Sequence, residues 1–408
     1  MTIEPGPLTG VRVLDLSRVL AGPMATQLLG DLGADVLKVE RPVSGDDTRH
    51  WGPPWLPKAA PDASKESAYF LSANRNKRSL TIDIAKPEGQ GLVRALAARS
   101  DVLIENFKVG DLARFGLDWP SLRDVLPRLV YCSISGFGQT GPYAKQAGYD
   151  FLVQGLGGVM SITGAPDGPP MKVGVAIADI VCGLYAAVAV LAALRQRDDT
   201  GCGQHIDLGL LDTQVAWLAN QGLNYLISGA APRRLGNAHP NIAPYQVFPA
   251  NDGHFILCIG NDGQFRRFVE LAGAPDLAAD PRFATNPERV LYRDELVPLL
   301  EGLTRTKPVA EWLSTLQPAG VPCGPVNDIA QVFADPQVRH RGMLIEMPDA
   351  RAADGIVRLI GNPIRGSADP VAYRRPPPAL GEHTDEVLQE ILGLDDAERA
   401  RLRGIGVI

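Results

Sequence analysis

Val11-Arg12-Val13-Leu14-Asp15-Leu16 is followed by an amphipathic stretch, Pro23 to Leu32, and then by Asp35-Val36-Leu37-Lys38-Val39-Glu40. Short runs rich in Val and Leu, separated by one helix-length segment, read as strand, helix, strand. The pattern continues outward. Ser79 to Ile84 reads as a third strand, and a helix opens at Pro87-Glu88, where a proline loses nothing because the first helical N–H has no partner. Asp101 to Glu105 and Leu129 to Ser135 read as further strands. This alternation predicts an α/β fold, with a mostly parallel, Rossmann-like sheet covered by helices on both faces.

Val173 to Leu194 is nearly all apolar, with Asp179 its one charge. By length it could span a membrane. It is the only such stretch, and Gly174 and Gly183 interrupt it, so it reads as a buried strand, turn and helix in the core of a soluble domain. After it, His205 to Leu211 suits a strand or a helix start. Tyr245 to Ile259 reads as two strands around the turn Asn251-Asp252-Gly253. Helices follow to about Leu316, and Thr384 to Leu392 reads as the last helix. The expected division is a large domain over 1–224, a smaller α+β domain over 225–325, and a segment over 326–408 that returns to the large domain.

Composition narrows the function. Apolar residues are 45% of the 408, and the net charge is −6. Neither a disordered chain nor a nucleic-acid or anionic-membrane partner is expected. Five scattered cysteines, with no C-x-x-C pair and no zinc-like spacing, read as reduced thiols and give no metal site. The first residues lack a basic and apolar leader, so a cytoplasmic location is expected. No G-x-G-x-x-G follows the first strand and no P-loop occurs, which argues against a bound dinucleotide or nucleoside triphosphate.

Asp179 is the informative residue. An ionised carboxylate in an apolar run costs several kcal/mol or more if unpaired. One reading makes it the cap of the helix that follows. The other makes it a nucleophile, kept ionised by that helix N-terminus. Glycine loops flank it at Gly136-Phe137-Gly138, Gly155 to Gly158 and Gly164 to Gly168. Each could be an ordinary turn or a backbone surface for a ligand. Arg18, Arg41, Arg49, Arg75, Lys77, Arg78 and Arg114 fall at loop positions suited to phosphate or carboxylate. Each alone reads as a solvated charge.

Together these motifs resemble the family III CoA-transferases. The resemblance rests on Val13-Leu14-Asp15-Leu16 with Val19 and Ala21-Gly22-Pro23, Gly33 to Pro42, Asn76-Lys77-Arg78-Ser79, Glu105-Asn106-Phe107, Gly136 to Pro142 and Ala147-Gly148-Tyr149-Asp150. It covers essentially the whole chain. Gly45 to Pro54, Gly236 to Gln246 and Arg375 to Thr384 are similar to the branch that handles dicarboxylates, the succinate–hydroxymethylglutarate CoA-transferases.

The resemblance implies two interlocked monomers, an Asp179 nucleophile, and a coenzyme A thioester as substrate with no tightly bound cofactor. It implies succinyl-CoA as donor and a dicarboxylate as acceptor. For CoA it implies Val19, Arg41, Asn74, Lys77, Arg114 and Phe115. For the acid, Arg18, Arg49, Tyr149 and His239 are the candidates. Backbone N–H groups near Gly138 and at the helix start before Asp179 are the expected oxyanion donors. The same superfamily contains 2-methylacyl-CoA racemases, the competing reading. Their base is a His where this chain has Tyr149, and a phenol with a pKa near ~10 is a poor proton acceptor at neutral pH. A CoA-binding scaffold without activity is the third possibility, disfavoured by the lone charge at Asp179.

Overall fold

The computed structural model describes residues 6–61, 65–368 and 370–408. The chain divides into two units. The first contains Met1–Gly157, Gly174–Trp217 and Pro336–Ile408, and the second Gly158–Val173 and Leu218–Asp335. The expected 225–325 domain lies inside the second unit, which reaches further at both ends and takes in Gly158–Val173.

Six strands form the first unit's main sheet: β1 (Arg12–Asp15), β2 (Asp35–Glu40), β3 (Lys77–Thr81), β4 (Val102–Glu105), β5 (Val130–Ser135) and β6 (His205–Gly209). All pairs are parallel, in the order β3-β2-β1-β4-β5-β6. Chain direction across the sheet reverses between β1 and β4, and ligands of such sheets sit outside the carboxyl ends of the strands at that point. Both faces are covered, so the strands read as continuous apolar runs. Val13, Val36, Val102 and Val130 face one core with the helices Ala21–Asp31 and Ile177–Thr200. Leu14, Leu37, Leu103 and Tyr131 face the other, with the helices Pro87–Ala97 and Thr384–Leu392.

Three expectations need correction. β3 starts at Lys77, two residues before the predicted strand, because Lys77 pairs with Val36. No strand precedes Asp179; the helix starts at Ile177 and runs for 24 residues. That helix is long and apolar enough to cross a membrane, yet it packs in this unit by one face only. Ala178, Cys182, Ala186 and Val190 are buried, whereas Leu184, Tyr185 and Val188 are exposed. Gly183 permits the close packing, since a Cβ there would lie 2.6 Å from the Ala21 carbonyl oxygen.

The return segment carries an antiparallel hairpin, Leu344–Pro348 with Ile356–Ile360, that the sequence reading did not foresee. A further helix, Asp396–Gly404, follows the one expected to be last. In the second unit, Tyr245–Pro249, His254–Cys258 and Cys323–Pro325 form an antiparallel sheet. Phe248, Phe255, Phe268 and Trp312 fill the core between that sheet and its helices.

Candidate active site

Asp179 is the third residue of its helix and lines a cleft in the first unit. The chain after β5 reaches this cleft through a glycine contact. A Cβ on Gly148 would lie 2.2 Å from the Cα of Gly136, so only two glycines allow the backbones to meet. That contact delivers Tyr149 and Asp150 to the cleft.

Asp150, to which the sequence reading gave no role, is the cap of the Asp179 helix. Its Oδ1 accepts the Ala178 N–H at 2.8 Å, and its Oδ2 accepts from Gln154 Nε2 at 2.7 Å. The helix N–H expected to serve Asp179 is therefore taken by a neighbouring carboxylate. No group among the described residues hydrogen-bonds the Asp179 carboxyl. Burial, and then the charge of Asp150, push its pKa up to about 7. A desolvated carboxylate of raised pKa is a stronger nucleophile than one in water.

The opposite wall is the Arg18–Val19 turn at the end of β1. Val19 has φ of 72°, a strained conformation for a β-branched residue. Its N–H is shared by both oxygens of Asp46 at 3.3 Å, and Asp46 is itself held by Lys38 at 2.9 Å. Burial raises the Asp46 pKa, but Lys38 and the Thr48 hydrogen bonds outweigh it and bring it to about 2. Asn106, after β4, brackets Arg18: its Oδ1 accepts the Arg18 N–H at 2.9 Å and its Nδ2 donates to the Arg18 carbonyl at 2.7 Å. The Phe107 ring lies 6.0 Å from the Arg18 guanidinium. Tyr69 is close enough for Asp179 and Asp150 to act on it; burial first, then those charges, raise its phenol to about 12, so it stays a neutral donor.

Arg18 and Phe107 also line a second pocket, with Arg41, Arg114 and Phe115. Val39, Ile84 and Ala85 make its apolar surfaces. Arg114 lies 4.6 Å from the Phe115 ring centroid. An apolar slot edged by arginines suits a nucleotide, whose base stacks and whose phosphates take paired N–H donors.

The structure thus brings Asp179, Arg18, Val19 and Tyr149 to one cleft and Arg41, Arg114 and Phe115 to its neighbour. The other candidates within the first unit line neither pocket. Asn74 and Lys77 are fully buried beneath the sheet end, with Lys77 Nζ on Asp15 at 3.2 Å, Asn74 Oδ1 at 2.9 Å and the Pro23 carbonyl at 2.9 Å. Arg49 is buried against Glu40 and Glu66 and lies over the Phe70 ring at 3.6 Å, so it offers no donor to a substrate. Arg75 and Arg78 are likewise buried and paired. His239 belongs to the second unit, where its Nδ1 accepts the Asn241 N–H. The Gly138 N–H, expected to be an oxyanion donor, goes to Ser135 Oγ at 2.9 Å.

Comparison with known proteins places this geometry. The family model described as CoA-transferase family III matches residues 8–384. The chain is 52% identical over 386 residues to a succinate–glutarate CoA-transferase of Agrobacterium fabrum, covering 94% of this chain and 96% of that one. It is 43% identical over 402 residues to the human succinyl-CoA:glutarate CoA-transferase, covering 98% and 90%. Among solved structures, a CAIB/BAIF family protein from Brucella suis superposes with a TM-score of 0.84 at 49% identity, covering 95% of this chain and all of that one. With a parallel sheet of the same architecture and a match over nearly its full length, this chain belongs to the family III CoA-transferases.

Proposed function

We propose that this enzyme transfers CoA from succinyl-CoA to a second dicarboxylic acid through covalent adducts of Asp179. The observation that carries the reading is a carboxyl group with no hydrogen-bond partner among the described residues, in a cleft lined by Arg18, which also lines the neighbouring arginine-edged pocket. The dicarboxylate specificity of the named relatives supports the choice of substrates.

An Asp179 oxygen attacks the acyl carbon of the donor thioester. The C–S bond breaks, and CoA leaves as thiolate from a mixed anhydride. The thiolate attacks the Asp179 carbonyl carbon, expels the donor acid as carboxylate, and leaves an aspartyl-CoA thioester. The acceptor carboxylate attacks that carbon and expels the thiolate. The thiolate then attacks the acyl carbon of the new anhydride and frees Asp179. In this scheme Arg18 takes the distal carboxylate, with Tyr149 as the facing wall. Arg41, Arg114 and Phe115 take the nucleotide end of CoA, and the Val19 backbone borders the reacting groups. Lys77 and Asn74 act from beneath, by holding the sheet end.

The exposed apolar surface beside the site supports the interlocked dimer that the resemblance implies. Leu184, Tyr185 and Val188 on the Asp179 helix are exposed, as are Phe151, Leu152 and Leu156 on the helix Asp150–Leu156 that packs against it. An apolar surface of this kind next to a catalytic group suits an interface between two copies.

The test is an acceptor series with succinyl-CoA as donor. Glutarate and similar diacids should outpace monocarboxylic acids of equal chain length. Arg18→Gln should remove that preference by raising the KM for diacids about tenfold or more. Equal use of butyrate and glutarate by the wild-type enzyme would count against the assignment.

A further inference from the structure

One carboxylate ties the two pockets together. Asp47 opens the 3₁₀ turn Asp47–His50, which is fixed by Asp46 accepting the Thr48 N–H. Its Oδ2 meets Arg18 Nη1 at 2.9 Å, and its Oδ1 meets Arg41 Nη2 at 2.7 Å. Among the described residues Asp47 is the only acid paired with either arginine. All three side chains are open to solvent, at 37% for Asp47, 45% for Arg18 and 56% for Arg41. Asp47 and Arg18 line the Asp179 cleft, and Arg18 and Arg41 line the neighbouring pocket.

We propose that Asp47 is an internal competitor for both ligands, occupying the guanidinium groups that a substrate carboxylate and a CoA phosphate must take over. This rests on the roles given above to Arg18 and Arg41. Each ligand anion approaches a guanidinium that already holds one carboxylate oxygen, and it meets the negative charge of Asp47 beside it. A ligand with a second anchoring point displaces Asp47, whereas one that contacts only the arginine gains little. Asp47 is thereby a specificity-determining residue that favours ligands anchored at both ends and weakens simple anions.

Asp47→Asn keeps the size of the side chain and removes its charge, at a position open enough to leave the fold intact. Exposed pairs of this kind interact weakly. The variant should therefore lower the KM for glutarate and the Kd for free CoA, measured by calorimetry, each by about two- to fivefold. kcat should stay unchanged. The gain should shrink as salt is raised, because the interactions are screened. In an Arg18→Gln background the effect on glutarate should disappear, while the effect on CoA persists through Arg41. Unchanged or weaker binding in Asp47→Asn, with Arg18→Gln still raising the glutarate KM, would overturn the proposal alone. An Arg18→Gln enzyme with normal glutarate KM would instead overturn the role of Arg18 on which its acid half depends.

Discussion

Replacing Asp179 with Asn is expected to lower kcat by at least about a thousandfold, the scale of losing a covalent nucleophile. CoA should still bind, because Arg41, Arg114 and Phe115 lie in a separate pocket. The loss should not come from unfolding. The wild-type carboxyl has its pKa raised from 3.8 to about 7 by burial and by Asp150. Between those values the folded state holds more protons than the unfolded one, so wild-type stability falls as pH rises through the window. The Asn variant lacks this penalty and should melt no lower than wild type above pH 7. The same pKa governs activity. In wild type, kcat/KM for the acyl-CoA should fall about tenfold per unit below pH 7, as the nucleophile protonates. Near-normal turnover in the variant, measured after removal of any wild-type contaminant, would refute the role of Asp179.

Lys77→Met should cost about 3–5 kcal/mol of stability, the penalty for breaking a buried ion pair. Asp15, Lys38 and Lys77 are all fully buried at the sheet end, and Asp46 is nearly so. Burial pushes the Asp15 carboxyl up, but Lys77 and Lys38, with hydrogen bonds from Ser17 and Thr26, outweigh it and hold it below its usual range. Burial brings Lys77 down to about 8 against the pull of Asp15, so both remain charged at neutral pH. Removing Lys77 leaves a charged Asp15 short of a partner. Urea unfolding should show the loss, and Asp15→Asn in the same chain should restore part of it. A Lys77→Met enzyme of normal stability whose only defect is a raised KM for CoA would show that Lys77 meets phosphate after all.

The same residue shows where sequence reading succeeds and where it stops. The parallel sheet was legible because Val13-Leu14, Val36-Leu37 and Val102-Leu103 feed two cores at once, which leaves an unmistakable apolar run. Asp179 was legible because it is the one charge in such a run. Arg49, Arg75, Lys77 and Arg78 misled, since a cation at a predicted loop looks the same whether it meets solvent or a buried acid. Their acidic partners include Asp15, Asp31, Glu40 and Glu66, 9 to 62 residues away along the chain, and Glu390, 312 residues from Arg78. Asp150 stood in a quoted motif without a role. Its function depends on the Gly136–Gly148 contact that carries it to the Ala178 N–H 28 residues on. The exposed face of the Asp179 helix was hidden for the opposite reason: apolar residues read alike whether their own chain covers them or leaves them exposed.

In the proposed reaction Asp179 passes through covalent adducts. A carboxylate is a weak nucleophile in water because it is strongly solvated, and here burial strips part of that solvation, with no hydrogen-bond donor to the carboxyl among the described residues. The most direct measurement is mass mapping of the enzyme after incubation with succinyl-CoA and quenching with hydroxylamine or borohydride. An aspartyl-CoA thioester should leave its modification on the peptide that contains Asp179, and the Asp179→Asn variant should carry none. An unmodified Asp179 peptide, under conditions where turnover is confirmed, would mean that the acceptor attacks the bound thioester directly, and the covalent account would be wrong.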